Sequence, residues 1–281
     1  VRGASALAYR ALMRVVGWCG LCLLWLAPGV AAADGLESAS NWIRLKADLA
    51  GAVTYEWVRG TAFAVPEGRE SFALFDIESV TVRQVRPLPG GGWEERNYAC
   101  RLYRDSAGGE YIDAFDNPLS GTRTELAGAC NDGFGIRYTA SSVDLTADIA
   151  LSSSSLGVPM QLDIVELGDR LLVRRTSHSR FTPPGASAPR RELSIDSFSV
   201  TAVDFRNPDI TDLDAVYTWT SRAEWMSSLG LADLPGHMLW IVNGRKYRDV
   251  ADLPVAFRAA LDARVPGALD RQIDWSDFPA D

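Results

Sequence analysis

Two histidines, His178 and His237, are the only side chains of the sequence that titrate near neutral pH unaided, so either could act as a general acid or base. His178 lies in an arginine-rich stretch with Arg170, Arg174, Arg175, Arg180, Arg190 and Arg191. A positive field of that kind would hold an imidazole neutral, as a base requires. His237 follows Pro235-Gly236 and reads as a turn residue. Arginine's planar fork suits a carboxylate or phosphate on a ligand. Strand alternation puts Arg174, Thr176, His178 and Arg180 on one face. Arg175 falls on the other face with Leu171, Val173 and Phe181, and would point to the apolar side. A solvated outer face paired with surplus acids accounts for such an arginine run equally well.

Aromatic side chains form the second group. Tyr98, Tyr103, Trp219 and Trp240, with Trp57, Trp93 and Trp225 among others, lie on predicted strands or beside them. Together they could line a pocket with apolar surface and polar tips, or they could simply fill a core. The ligand-binding set expected from these readings is Arg175, Arg180, Tyr98, Tyr103, Trp219 and Trp240. His178, Tyr103 and His237 are the acid–base candidates. Asp76 and Glu78 alternate with Phe75 and Ile77 and are expected to face solvent. No spacing of His, Cys, Asp or Glu suggests a metal site, and no phosphate-cradling, dinucleotide or nucleophile-elbow motif occurs after residue 33, so neither metal nor cofactor is expected.

The elements that would position these residues are mostly strands. A helix is predicted over 38–49, where Trp42, Leu45 and Leu49 share a face. Period-two patterns follow over 53–65, 71–85, 93–104, 110–115, 122–126, 134–139, 143–151, 158–166, 171–181 and 190–205. Gly168-Asp169 marks a tight hairpin, and Asp116-Asn117-Pro118 another turn. Residues 215–220 and 237–242 read as strands, the second open to extension by Lys246-Tyr247 after Asn243-Gly244, and 222–229 reads as helical. Pro254 opens a helix over 255–264. Ten to twelve strands without βαβ alternation predict a mainly β fold. The expected form is a single antiparallel β-barrel or strongly curved sheet, lipocalin-like in shape, with a few short helices; the alternative is a two-sheet β-sandwich.

The chain has 281 residues, a formal charge of −8, and 47% hydrophobic and 23% charged residues. Those fractions exclude a disordered chain, and the acidic balance argues against a nucleic-acid partner. Arg2, Arg10 and Arg14, the apolar run 15–26 and Ala31-Ala32-Ala33 have the order of a secretory signal peptide over 1–33, which leaves one β-rich domain over 34–281. An uncleaved anchor is the alternative, and no later stretch is apolar enough to span a membrane. The expected location is periplasmic or secreted. Cys19 and Cys22 would leave with the leader. Cys100 and Cys130 would then pair as a disulfide, the alternative being two buried thiols.

Three stretches carry a family resemblance: CRLYRDSAGGEYIDAFDNPLSGT from Cys100, YTWTSRAEWM from Tyr217, and PGHMLWIVNGRKY from Pro235 with the Asp252-Leu253-Pro254 that follows. The chain resembles the bacterial and fungal family known as domain of unknown function 1838. The resemblance implies one secreted β-rich domain and supplies no catalytic residues. Arg222-Ala223 departs from the pattern where an aromatic would be expected. Three functions remain open on this reading. One is an exported β-barrel that binds a small, mostly apolar ligand whose anionic group meets Arg175 or Arg180. Another is a cofactor-independent lyase, isomerase or hydrolase using the same pocket. The third is an envelope structural or interaction protein without a pocket. Oligomeric state stays open.

Overall fold

The computed structural model describes residues 31–126, 128–131, 134–139, 142–147, 156–159, 162–181, 190–273 and 275. The Arg-rich start and apolar run of the expected leader lie outside them; residues 31–33 form the first turn of a helix. The elements are α1 (Ala31–Lys46), β1 (Thr54–Pro66), β2 (Phe72–Pro87), β3 (Trp93–Arg104), β4 (Tyr111–Ile112), β5 (Ala114–Asp116), β6 (Arg123–Glu125), β7 (Ala129–Cys130) and β8 (Phe134–Tyr138). There follow β9 (Ser142–Ala147), β10 (Leu156–Pro159), β11 (Leu162–Leu167), β12 (Arg170–Phe181), β13 (Arg190–Thr201), α2 (Ala202–Arg206), β14 (Val216–Ala223), β15 (Gly236–Tyr247) and α3 (Val255–Arg264).

The fold is mainly β. One large antiparallel sheet runs in the order β10-β9-β8-β3-β2-β1-β15-β14-β13-β12-β11, with β4 and β7 attached to β3 and a separate β5–β6 pair. The order ends at β10 and β11, so among the described residues the sheet is not closed into the expected barrel.

Register assigns every side chain to one of two faces, because directly opposed residues share a face. Tyr98, Val82, Tyr55 and Tyr247 form one row. That face buries Val80, Val82, Tyr98, Cys100 and Leu102 against Leu253, Phe257 and Leu261. Helix α3 forms because Pro254 presets its first turn and Phe257 and Leu261 fall one above the other at i and i+4. Cys100 and Cys130, directly opposed on β3 and β7, are joined by a disulfide closing a separation of 30 residues. Loop-closure entropy for that span is worth about 3–4 kcal/mol.

The other face packs on α1. Trp42, Ile43 and Leu45 share a cluster with Val85, Ile136 and Tyr138 from one half of the sheet and Leu171, Val173, Phe198 and Val200 from the other. Trp42 meets Phe198 edge-on at 5.3 Å, and Phe198 stacks on Tyr217 at 4.7 Å. The helix is held at its C-terminal end, where carbonyls lack partners. Lys246 donates its Nζ to the Arg44 carbonyl at 2.7 Å, and Arg44 donates to the carbonyls of Phe205, Asn207 and Ile210.

Several elements depart from the sequence expectations. Strand β15 runs unbroken through Asn243-Gly244 and takes in Lys246-Tyr247, the extension the sequence left open. Gly244 lies opposite Val58 and Tyr217, and a Cβ there would sit 2.0 Å from the Trp57 carbonyl. Its glycine serves close strand approach rather than a turn. The strand expected over 190–205 ends at Thr201, whose hydroxyl accepts from the Asp204 amide at 3.3 Å and caps the short α2. The stretch 222–229 finishes β14 and keeps only one helical turn at 227–229, ended by Gly230 at φ 63°. The 158–166 pattern divides between β10 and β11. The Gly168-Asp169 hairpin forms as expected, joining Leu167 to its partner Arg170.

Candidate functional site

On the α1-facing side, one register row runs Arg175, Asp196, Trp219, Val242, Gly60, Ile77 and Tyr103. Three residues singled out from sequence, Arg175, Trp219 and Tyr103, thus lie across one face. Trp240 shares that face through its partner Ser221, and its ring lies 6.4 Å from that of Trp219. Phe75 joins them, 5.3 Å from Tyr103 and 5.9 Å from Trp240.

Arg101, two residues before Tyr103 on β3, faces the same side. Its guanidinium carbon lies 5.9 Å from the Trp240 ring. Its Nε is buried with no acceptor, and among the described residues its side chain makes no hydrogen bond or ion pair. A cation in that state is missing the anion it would normally have, since a buried charge is costly unless paired.

On the neighbouring strand β2 the same face does the opposite. Arg83 donates to Glu95 at 2.9 Å and to Glu56 at 2.7 Å, all three buried. Glu95 also accepts from the Tyr138 hydroxyl at 2.6 Å and from Asn97 at 2.9 Å. Burial alone would raise the Glu95 carboxyl, but Lys46, Arg83 and those hydrogen bonds hold it down at about 2. Asp196 accepts from the Tyr217 hydroxyl at 2.7 Å. Burial and the neighbouring carboxylates push both tyrosines well above their ordinary range.

Two more cations converge on Trp42. The Arg175 guanidinium carbon and the Lys46 Nζ each lie 5.5 Å from its ring. Neither side chain makes a hydrogen bond or ion pair among the described residues, and the buried Trp42 Nε1 has no acceptor either. Burial lowers the Lys46 ammonium from its ordinary value; Glu95, Glu56 and Asp196 oppose that shift and Arg83 adds to it.

The remaining predicted residues lie elsewhere. Tyr98 is on the opposite face, so it is removed from the ligand set. Its hydroxyl donates to the Ala268 carbonyl at 3.1 Å, and burial raises it to about 12. The side chain of Arg180 lies outside the described residues. His178 and His237 both line a groove of about 580 Å³ at one end of β12 to β15, with Glu192, Leu193 and Arg222. His178 is exposed there. Burial and then Arg222 lower the His237 imidazole. Glu192 in this groove accepts from Ser221, the partner of Trp240, so the groove lies at the rim beside the aromatic pair. Glu78, expected in solvent, is buried, where it accepts from Trp57 at 3.1 Å and Tyr111 at 2.7 Å and pairs with Arg104 at 3.1 Å. That face of β2 is covered by side chains from Trp57, Tyr111 and the α3 region, which local alternation does not reveal. Among the described residues no group of three or more metal-binding side chains occurs. Nor is any helix long and apolar enough to cross a membrane.

Arg101, Lys46, Arg83, Glu95 and Asp196 were not anticipated from sequence. For Arg101 a signal existed: the i, i+2 relation to Tyr103 puts both on one face, whereas Tyr98, five residues from Tyr103, must face away. Lys46 could not be found this way, because only tertiary packing carries α1 onto the sheet.

Fold and site together define a mainly β protein built on one large antiparallel sheet, with unpaired cations and aromatic rings on the face that packs a helix. Residues 51–277 match the family model described as Protein of unknown function (DUF1838), and the chain belongs to that family. No curated protein and no solved structure matches it.

Proposed function

We propose that this is an exported protein whose sheet curls strongly, lipocalin-like, around a site for a small, mostly apolar ligand carrying one anionic group. The observation that carries the reading is Arg101, a half-buried guanidinium without a counterion among the described residues, set against Trp240, whose ring neighbours that of Trp219. A carboxylate, sulfonate or phosphate would supply the missing partner, and the indoles would take the apolar body. Curvature is supported by the shared core. Tyr138 on β8 and Val173 on β12 belong to one cluster although seven strand steps separate them, roughly 34 Å in a flat sheet at 4.8 Å per step. Gly60 and Gly244 favour such coiling, because each lets β1 and β15 approach where a Cβ would come within 2.0 Å of a carbonyl. Export is supported by the leader-like start and by the disulfide, which belongs in an oxidising compartment.

The test is titration of the protein with 2-naphthoate and, separately, with the neutral 2-naphthamide, read by tryptophan fluorescence and calorimetry. Naphthoate is expected to bind more tightly than the amide. Arg101→Met should weaken naphthoate about 10–150-fold, the equivalent of a charged hydrogen bond of about 1.5–3 kcal/mol, and leave the amide unchanged. Equal naphthoate affinity in the variant, or no binding of either probe, would overturn the reading.

A further inference from the structure

The chain writes its basic residues as arginine almost throughout: of 28, only Lys46 and Lys246 are lysine. Both are carried to the C-terminal end of α1, and there they differ. Lys246 is buried and committed, donating to the Arg44 carbonyl at 2.7 Å and pairing with Asp212. A guanidinium would not fit so compact a set of acceptors, so lysine has a structural reason at 246. Lys46 has none of these partners. Its Nζ lies over the Trp42 ring at 5.5 Å, on the face that carries the proposed ligand site. The nearby acids have their own partners: Arg83 pairs with Glu95 and with one oxygen of Glu56, whose Oε2 is a buried acceptor without a donor, and Asp196 accepts from Tyr217. Among the described residues the buried Trp42 Nε1 and the Arg175 guanidinium, on the same indole, also donate no hydrogen bond. Beside Trp42 there is thus a primary amine that none of the described acids takes up, next to two donors free to meet an incoming oxygen.

We infer that Lys46 is a nucleophilic amine that captures the carbonyl carbon of an aldehyde or ketone entering this face, with Trp42 and Arg175 offering hydrogen bonds to the carbonyl oxygen. The amine lone pair forms a C–N bond while the C=O π pair moves onto oxygen. A proton passes from nitrogen to that oxygen, giving a carbinolamine. Cleavage of the C–O bond with a second proton then releases water and leaves an imine, with no change of oxidation state. Only the neutral amine adds, and desolvation beside Arg83 favours that form against the opposing pull of Glu95, Glu56 and Asp196. This inference rests on the ligand-site reading only for access to the face, not for an anion.

The experiment is reductive trapping on the full chain, with 2-naphthaldehyde or 4-carboxybenzaldehyde and sodium cyanoborohydride, followed by intact-mass measurement and peptide mapping. One adduct is expected, on Lys46, formed at least tenfold faster than on Lys246 or the N-terminal amine. Its rate should rise with a midpoint below the ordinary lysine value of 10.5. Lys46→Arg, which keeps the charge, and Lys46→Met should both abolish it with the thermal melt retained. No adduct on the wild type, or labelling confined to Lys246 or the N-terminus, would overturn the inference. The neutral aldehyde separates the two readings. Trapping at Lys46 without naphthoate binding sinks the anion site alone, and naphthoate binding without trapping sinks the amine alone.

Discussion

Arg83 and Arg101 stand on neighbouring strands, face the same side, and should respond to the same substitution in opposite ways. Arg83→Met removes a guanidinium that holds two buried carboxylates, Glu56 at 2.7 Å and Glu95 at 2.9 Å, whose side chains are 6% and 0% exposed. Among the described residues neither acid has another ion pair, so both would be left charged in a poorly solvated interior. Breaking a buried pair in this way costs about 3–5 kcal/mol. For a chain of this size each kcal/mol lowers Tm by about 2–4 °C, so the variant should melt about 6–20 °C below the wild type. Arg101→Met strands no partner, because among the described residues Arg101 has no ion pair or hydrogen bond to lose. It forfeits only a contact with Trp240 at 5.9 Å, worth about 0.5–1 kcal/mol, so its Tm should stay within about 4 °C. The assay is thermal unfolding by circular dichroism at neutral pH, wild type and both variants side by side. A large loss for Arg101→Met would mean that this guanidinium has a structural task, and the case for an unfilled anion site would fail. A negligible loss for Arg83→Met would refute the treatment of Glu56 and Glu95 as ionised in the fold.

Two further outcomes follow from the same face. Glu95 is held at about 2, below its ordinary 4.5, so its contribution is complete above about pH 4.5 and drains away as pH falls toward 2. Denaturant titrations across that window should show the acid loss in the wild type and a shallower slope in Glu95→Gln. Gly244→Ala should cost at least about 2 kcal/mol in denaturant unfolding, since its Cβ would lie 2.0 Å from the Trp57 carbonyl, whereas Gly90→Ala, with nothing within 4 Å, should be close to neutral.

Much of the fold was legible because strands and hairpins leave local marks. The long period-two runs became β1, β2, β3, β12 and β13 to within a few residues, and Pro254 with Phe257 and Leu261 marked α3. The misreadings share a cause. Asn243-Gly244 left it open whether Lys246-Tyr247 continued the strand, and two flanking strands recruited the whole stretch into β15, because a glycine was needed where backbones crowd. Arg222 to Leu229 has helical spacing, but pairing with β13 and β15 carried β14 to Ala223.

The site divides along the same line. Residue types and alternation by themselves determined a mainly β fold and put Arg175 on the apolar side, and cysteine parity pointed to the Cys100–Cys130 pair that the structure then showed. They also held enough to separate Tyr98 from Tyr103, since a five-residue spacing along one strand turns the two outward on opposite faces. Only the tertiary structure decided which arginines are satisfied and which are not. Arg83 and Arg101 look alike in sequence, and their difference comes from acids on β1 and β3 that reach one and miss the other. It alone brought Lys46 and Trp42 against strands more than 150 residues away, Trp42 meeting Phe198, because the burial that drives α1 onto the sheet depends on surface that exists only once the strands have paired.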